Sequence, residues 1–96
     1  MSSSGGIIIP YIKKELREKY YKSINDLVNI LSLQNKDIMD GQVNFVITSI
    51  IKRVYTPDSY EILNRAVGVL ESIKLEYYRR VVVPYEENKI RTSGDV

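Results

Sequence analysis

The stretch "DSYEILNRAVGVLESIKLEYYRRVV", residues 58–82, decides the fold of this chain. Its apolar side chains recur at intervals of three or four residues, which is the spacing of one helix face. Asp58 and Glu61 suit the positive end of a helix, and Pro84 lacks a backbone donor just beyond the stretch. We therefore predict a long helix from about residue 58 to about residue 82, followed by a proline-terminated cap, "PYEENKI". The residues of the predicted face are Ile62, Ala66, Val69, Leu70, Ile73, Tyr77 and Val81.

The length of this helix predicts a partner for it. At about 1.5 Å per residue it spans about 35 Å, which is longer than the core of one small domain needs. Gly68 lies inside it at a cost of roughly 1 kcal/mol relative to Ala. A glycine at that place suggests that another backbone crosses close to the helix. We therefore expect part of the helix to project or to pair with another subunit, in a homo-oligomer.

The first part of the chain is also predicted to be helical. Pro10 suits a first helical turn, and Ile12, Leu16 and Tyr20 follow it at four-residue spacing. Ser23 and Asp26 resemble a capping box with Asp in place of Glu. This pair predicts either a new helix or a kinked continuation of the first.

The middle of the chain contains one predicted loop and one further helix. The segment "QNKDIMDG", residues 34–41, has the composition of a loop, and Asp40 is a candidate cap for the next helix. The apolar residues from Val43 to Val54 have helical spacing, although their β-branched side chains leave a strand as an alternative. Pro57 ends this segment because it disfavours a helical conformation at Thr56. Together these segments predict a small all-α domain.

The amino-acid composition limits the domain organisation and the chemistry that the protein can perform. The 96 residues fit one domain at 7–96, and residues 1–6 resemble a flexible segment or a remnant of cloning. Cys, His and Trp do not occur in the sequence, so disulfides, thiolates, imidazole bases and Cys/His zinc sites are excluded. We expect no enzyme, no cofactor and no metal. No apolar run approaches the roughly 20 residues of a membrane span, so we expect a soluble cytoplasmic protein.

Arginine and tyrosine side chains cluster near the end of the long helix. Guanidinium groups recognise phosphate in a bidentate way, and tyrosine rings offer stacking faces for bases. The candidate ligand-binding residues are Arg79, Arg80, Tyr85, Lys89 and Tyr78. The alternative is structural, because arginines are favoured in the last turns of a helix and tyrosines fill the edge of a small core or an interface. A polar line through Glu71, Lys74 and Tyr78 is interpreted as a solvated face with a minor ion pair.

The C-terminal part, residues 60–96, also resembles a known family. The matching features are Asn64, "GVLE" at 68–71, "YRR" at 78–80, "PYE" at 84–86 and "GDV" at 94–96. Ser93 stands where the family pattern has Asn, and residues 10–20 and 41–51 resemble its less distinctive segments. The family consists of small proteins of unassigned function, encoded mainly by phages and prophages. The resemblance implies a phage-related context and the cytoplasm of a host cell, and it implies no catalytic chemistry.

Three functions are compatible with these residues. The first is a phage-related, non-enzymatic binding protein that sequesters a nucleotide immune signal, such as a cyclic nucleotide, in an Arg/Tyr pocket. The alternative is an oligomeric protein-interaction module, or an inhibitor of a host protein, with no small ligand. Direct nucleic-acid binding ranks third because the net charge is only +2.

Overall fold

The computed structural model describes residues 12–94, and this part of the chain is all-α. It consists of α1 (Lys14–Ser32), α2 (Lys36–Val54), α3 (Tyr60–Tyr77), a π-helical segment (Tyr78–Val82) and α4 (Val83–Ser93). The last three elements join into one helix of 34 residues, called the long helix below. Helix accounts for 87% of the described residues, and none of them is in a strand. The predicted fold class, including the long C-terminal helix, is confirmed. The predictions for residues 1–6, Pro10 and residues 95–96 lie outside the described residues.

Helix α1 is continuous at Ser23, where the sequence predicted either a new helix or a kinked continuation. It runs from Lys14 to Ser32 through the position of the candidate capping box. Its apolar stripe also continues through that position, with Tyr20, Ile24 and Val28 at four-residue spacing. In addition, Lys22 Nζ lies 3.0 Å from Asp26 Oδ2, an i,i+4 pair that supports the helix. Asp26 therefore pairs along the helix and does not begin a new one.

Helix α2 begins earlier than the sequence predicted. The side chain of Asn35 accepts a hydrogen bond of 3.0 Å from the Asp37 backbone N–H and caps the helix at its N-terminus. The predicted loop at 34–41 is therefore wrong over residues 36–41, and Asp40 lies inside the helix instead of capping it. The predicted end is confirmed, because α2 stops at Val54, three residues before Pro57.

The long helix also begins with a side-chain cap. The Ser59 Oγ accepts a hydrogen bond of 3.3 Å from the Ile62 backbone N–H, and the helix begins at Tyr60, close to the predicted start at 58. Its last residue is Ser93, and Gly94 follows with a φ of 87°. That positive φ is favoured by glycine, which has no Cβ. The Gly94 N–H donates to the Ile90 carbonyl at 2.9 Å and closes the last turn.

The predicted end of the long helix at Pro84 is wrong. Pro84 lies in the first turn of α4, and the helix continues past it to Ser93. A proline inside an α-helix has no N–H to donate and clashes with the carbonyl four residues earlier. The π-helical segment immediately before it widens the turn, and the Val83 N–H donates to the Tyr78 carbonyl, five residues back. The widened turn accommodates the proline, so the predicted cap is helical.

The described chain divides into two compact units that contain few buried side chains. One unit holds residues 12–63 with α1 and α2, which contact each other, and the other holds residues 64–94. Among the described residues only Ala66, with 8% of its surface exposed, is buried. Many large apolar side chains in both units are exposed, including Tyr20 and Ile50 in the first and Leu70 and Tyr77 in the second.

Candidate binding surfaces on the long helix

The π-helical segment carries the tyrosine and arginine residues that the sequence singled out. Tyr78, Arg79 and Arg80 are its first three residues, and Tyr85 and Lys89 follow on α4. A single π turn amounts to about one extra residue in the α-helical ladder, so it changes which side chains share a face on its two sides. Such turns are frequent at functional sites.

Arg79 and Arg80 converge on one carboxylate. The Arg79 Nη2 pairs with Glu76 Oε1, and the Arg80 Nε donates to Glu76 Oε2 at 3.2 Å. The Glu76 side chain is only 18% exposed, whereas both arginines are mostly exposed. We call this arrangement of Glu76 with Arg79 and Arg80 the Glu76 fork. It orients two guanidinium groups that would otherwise point about 100° apart on the helix. Any phosphate that binds them must compete with Glu76.

Tyr85 and Lys89 form a second pair on α4. The Lys89 Nζ lies 5.7 Å from the centroid of the Tyr85 ring, within the range of a cation–π interaction. Both side chains are exposed, as is Tyr78. The five predicted ligand-binding residues thus include an arginine pair joined through Glu76 and a tyrosine–lysine pair. Glu76 is not among the residues predicted from the sequence, although its spacing of three and four residues from the arginines is a signal for ion pairs on a helix.

The polar line at Glu71 and Lys74 behaves as the sequence predicted. The Lys74 Nζ lies 3.4 Å from Glu71 Oε2, and both side chains are exposed. An exposed pair of this kind contributes about 0.3–0.5 kcal/mol.

The long helix also presents an apolar line that contains Lys74. On α3, Val67, Leu70, Lys74 and Tyr77 follow one another at intervals of three, four and three residues. We call this line the outer stripe. Its three apolar members are exposed, from 40% for Leu70 to 65% for Val67.

The residues predicted for one apolar face therefore have different environments. Ile62, Ala66 and Val69 are partly or fully covered, whereas Leu70, Tyr77 and Val81 are exposed. The predicted face is correct as a pattern but is broader than the part that is covered. The predicted face leaves out Val67, which lies three residues before Leu70 and belongs to the outer stripe.

Two kinds of feature are absent from the described part of the chain. Residues 12–94 contain no group of three or more acidic side chains that could hold a metal ion. In the same range, no helix combines the length and the apolar character needed to cross a bilayer.

Comparison with known proteins identifies a family and no activity. A model of a domain of unknown function, DUF6899, matches residues 9–96. No curated protein and no solved structure matches the chain. The match confirms a family of unassigned function and carries no information on phage origin. Because the match covers nearly the whole sequence, the chain belongs to the DUF6899 family.

Proposed function

We propose that this protein is a non-enzymatic protein-binding module, whose exposed apolar helix faces dock onto another helical surface. It is the second of the three functions that the sequence predicts. The observation that supports it is the exposure of apolar side chains: only Ala66 is buried among residues 12–94, while 24 large hydrophobic side chains are exposed. Monomeric soluble proteins rarely expose contiguous apolar patches larger than a few hundred Å².

The energetics of helix packing support the same proposal. In proteins, most helical stability comes from packing an apolar face and not from intrinsic helix propensity. The outer stripe supplies such a face on a helix of 34 residues. A partner that covers it would add the packing that the chain itself does not provide.

Photo-crosslinking tests this proposal. A benzophenone amino acid at Val67 in the outer stripe, in cells that express the full chain, is expected to give a crosslinked species of higher mass. The same group at Glu61, an exposed residue of α3 outside the stripe, is the matched control and is expected to give none. Crosslinking that is absent at Val67, or equal at both positions, would contradict the proposal.

Phage origin and a place in the host cytoplasm belong to this proposal. They rest on the resemblance carried by the "GVLE", "YRR" and "PYE" segments. A phage protein of this type would act by blocking a host protein. The genes on either side of the coding sequence test the context: phage structural or replication genes are expected, and a conserved housekeeping operon would contradict it.

A nucleotide ligand is the second candidate function. It is favoured by the close succession of the Glu76 fork and the Tyr85–Lys89 pair, which places three cations and exposed tyrosines within one stretch of helix. A phosphate would displace Glu76 from the arginines, and a base would stack on Tyr78 or Tyr85. Binding would need no turnover.

Isothermal titration against cyclic and linear nucleotides tests the second candidate. Because Glu76 competes for the arginines, Glu76→Gln is expected to tighten binding several-fold. Glu87→Gln, an exposed carboxylate of α4, is the matched control and should leave affinity nearly unchanged. No heat with any nucleotide, for either the natural chain or Glu76→Gln, would exclude this function.

A further inference from the structure

The spacing of the outer stripe fits a second helix. Apolar residues that alternate at three and four residues form the a and d positions of a heptad, through which two helices pack side by side. Val67 and Lys74 take the a positions, and Leu70 and Tyr77 take the d positions, all on α3 before the π-helical segment. The line extends over eleven residues of α3, which is about three turns.

The area that the chain exposes is large enough for a second copy. The whole chain exposes 8517 Å², whereas a compact monomer of 11.1 kDa exposes about 5,700 Å². A strict bound removes the thirteen residues outside the described range with their full unfolded area, about 1,900 Å². The remaining area of about 6,600 Å² exceeds that of a compact chain of the other 83 residues, about 5,200 Å², by about 1,400 Å². A stable dimer needs about 800 Å² from each protomer.

The charges of the chain permit self-association. The net charge of +2 gives only weak repulsion between two copies. The outer stripe itself contains one cation, Lys74, with the carboxylate of Glu71 3.4 Å away. A surface with one charge of each sign is complementary to itself, whereas it has no excess charge to attract an anionic partner.

We propose that the outer stripe is covered by the outer stripe of a second copy of this chain, in a symmetric, antiparallel helix pair. This inference rests on the proposed function and names its partner. The two-fold axis passes close to Ser72, so that Val67 packs against Tyr77 of the second copy. Leu70 packs against the aliphatic part of Lys74 of the second copy.

Lys74 determines the antiparallel orientation. In a parallel, in-register pair the two Lys74 side chains meet in the same layer, and their like charges repel. In the antiparallel pair each Lys74 lies beside Leu70 and Glu71 of the other copy. Its stem then covers apolar surface while its ammonium group meets a carboxylate.

Sedimentation of the purified full chain tests the pairing. We expect a species of twice 11.1 kDa that dissociates on dilution. Leu70→Glu is expected to give a monomer, whereas Leu75→Glu, an exposed leucine of the same helix outside the stripe, is the matched control and stays dimeric. A monomer at every concentration of the natural chain overturns the inference, as does dissociation by Leu75→Glu alone.

Disulfide formation tests the orientation in variants that keep the stripe nearly intact. The natural chain has no cysteine, so Val67→Cys and Tyr77→Cys each introduce one thiol. A mixture of the two variants is expected to form a disulfide-linked dimer on air oxidation, and neither variant is expected to do so alone. Crosslinking of Val67→Cys with itself overturns the antiparallel arrangement, because antiparallel pairing separates those residues by about 15 Å along the axis, too far for a disulfide.

The two proposals fail in different ways. If the benzophenone at Val67 crosslinks to a different protein while the purified chain remains monomeric, the proposed function stands and the second copy is wrong. If the purified chain dimerises but Leu70→Glu does not dissociate it, the chain associates through another surface and this inference is wrong.

Discussion

The pair formed by α1 and α2 differs from the long helix in how its apolar residues are covered. In the pair, none of the described residues is buried: Val43 and Val46 are partly covered, and Tyr20 and Ile50 are exposed. In the long helix, Ala66 is buried while the outer stripe beside it is exposed. A broad apolar face therefore contains positions with separate roles, and the exposed part of the long helix is the surface that a partner would cover.

The largest effect is expected where the long helix is buried. Ala66→Asp would place an unpaired charge at the buried position and should lower the free energy of unfolding by more than about 2 kcal/mol. Urea denaturation followed by circular dichroism measures this. Arg65→Asp, at the adjacent exposed position, is the control and should change stability by less than about 1 kcal/mol. Equal losses for the two variants would show that Ala66 has no special environment.

The two prolines provide the next largest contrast. Pro84→Ala supplies the missing N–H within the long helix and should stabilise it by about 1–3 kcal/mol, with a gain in helical signal at 222 nm. Pro57→Ala lies between α2 and α3 and should give no such gain. Thermal denaturation of both variants makes the comparison. A destabilised Pro84→Ala would mean that the π-helical segment is maintained by interactions other than accommodation of the proline.

The N-terminal cap of α2 gives a smaller effect. Asn35→Ala removes the hydrogen bond to the Asp37 N–H and should cost about 1 kcal/mol. Amide hydrogen exchange is expected to increase in the first turn of α2 and to stay unchanged in the long helix. Asn29→Ala, within α1, is the control and should be neutral or slightly stabilising, because alanine is the better helix former. Faster exchange throughout the chain would contradict a local role for Asn35.

The exposed ion pairs give the smallest effect. A double-mutant cycle on Lys22 and Asp26 should yield a coupling energy of about 0.3–0.5 kcal/mol that decreases with added salt. The cycle on Glu71 and Lys74 should yield a similar value in the monomeric Leu70→Glu variant and a larger one in the natural chain, where the second copy shields the pair. Equal values in both backgrounds would count against burial of Lys74 in an interface.

Some parts of the fold could be predicted from the sequence because one local rule decides them. Helical spacing decided the all-α class, and Pro57 marked the end of α2 because no competing interaction carries the helix past it. The start of α2 was misplaced because Asn35 and Asp40 are both acceptable caps, and only the hydrogen bond to Asp37 distinguishes them. The crossing at Gly68 stays a prediction.

The end of the long helix and the candidate site depend on interactions that the sequence does not specify. Pro84 predicts a break, but one π turn accommodates it, and that choice depends on the packing of several residues. The arginine pair was predicted from its composition, whereas its convergence on Glu76 requires side-chain conformations. The division of one apolar face into a covered part and the outer stripe depends on tertiary contacts, which periodicity alone does not provide.

The dependence of unfolding on protein concentration tests the central claim most directly. If a second copy covers the outer stripe, hundredfold dilution of the dimeric natural chain should lower the apparent free energy of unfolding by about 1.4 kcal/mol per chain, because the concentration of free monomer falls only about tenfold. Leu70→Glu should show no such dependence. A urea midpoint for the natural chain that stays the same over that range would contradict pairing of two copies through this surface.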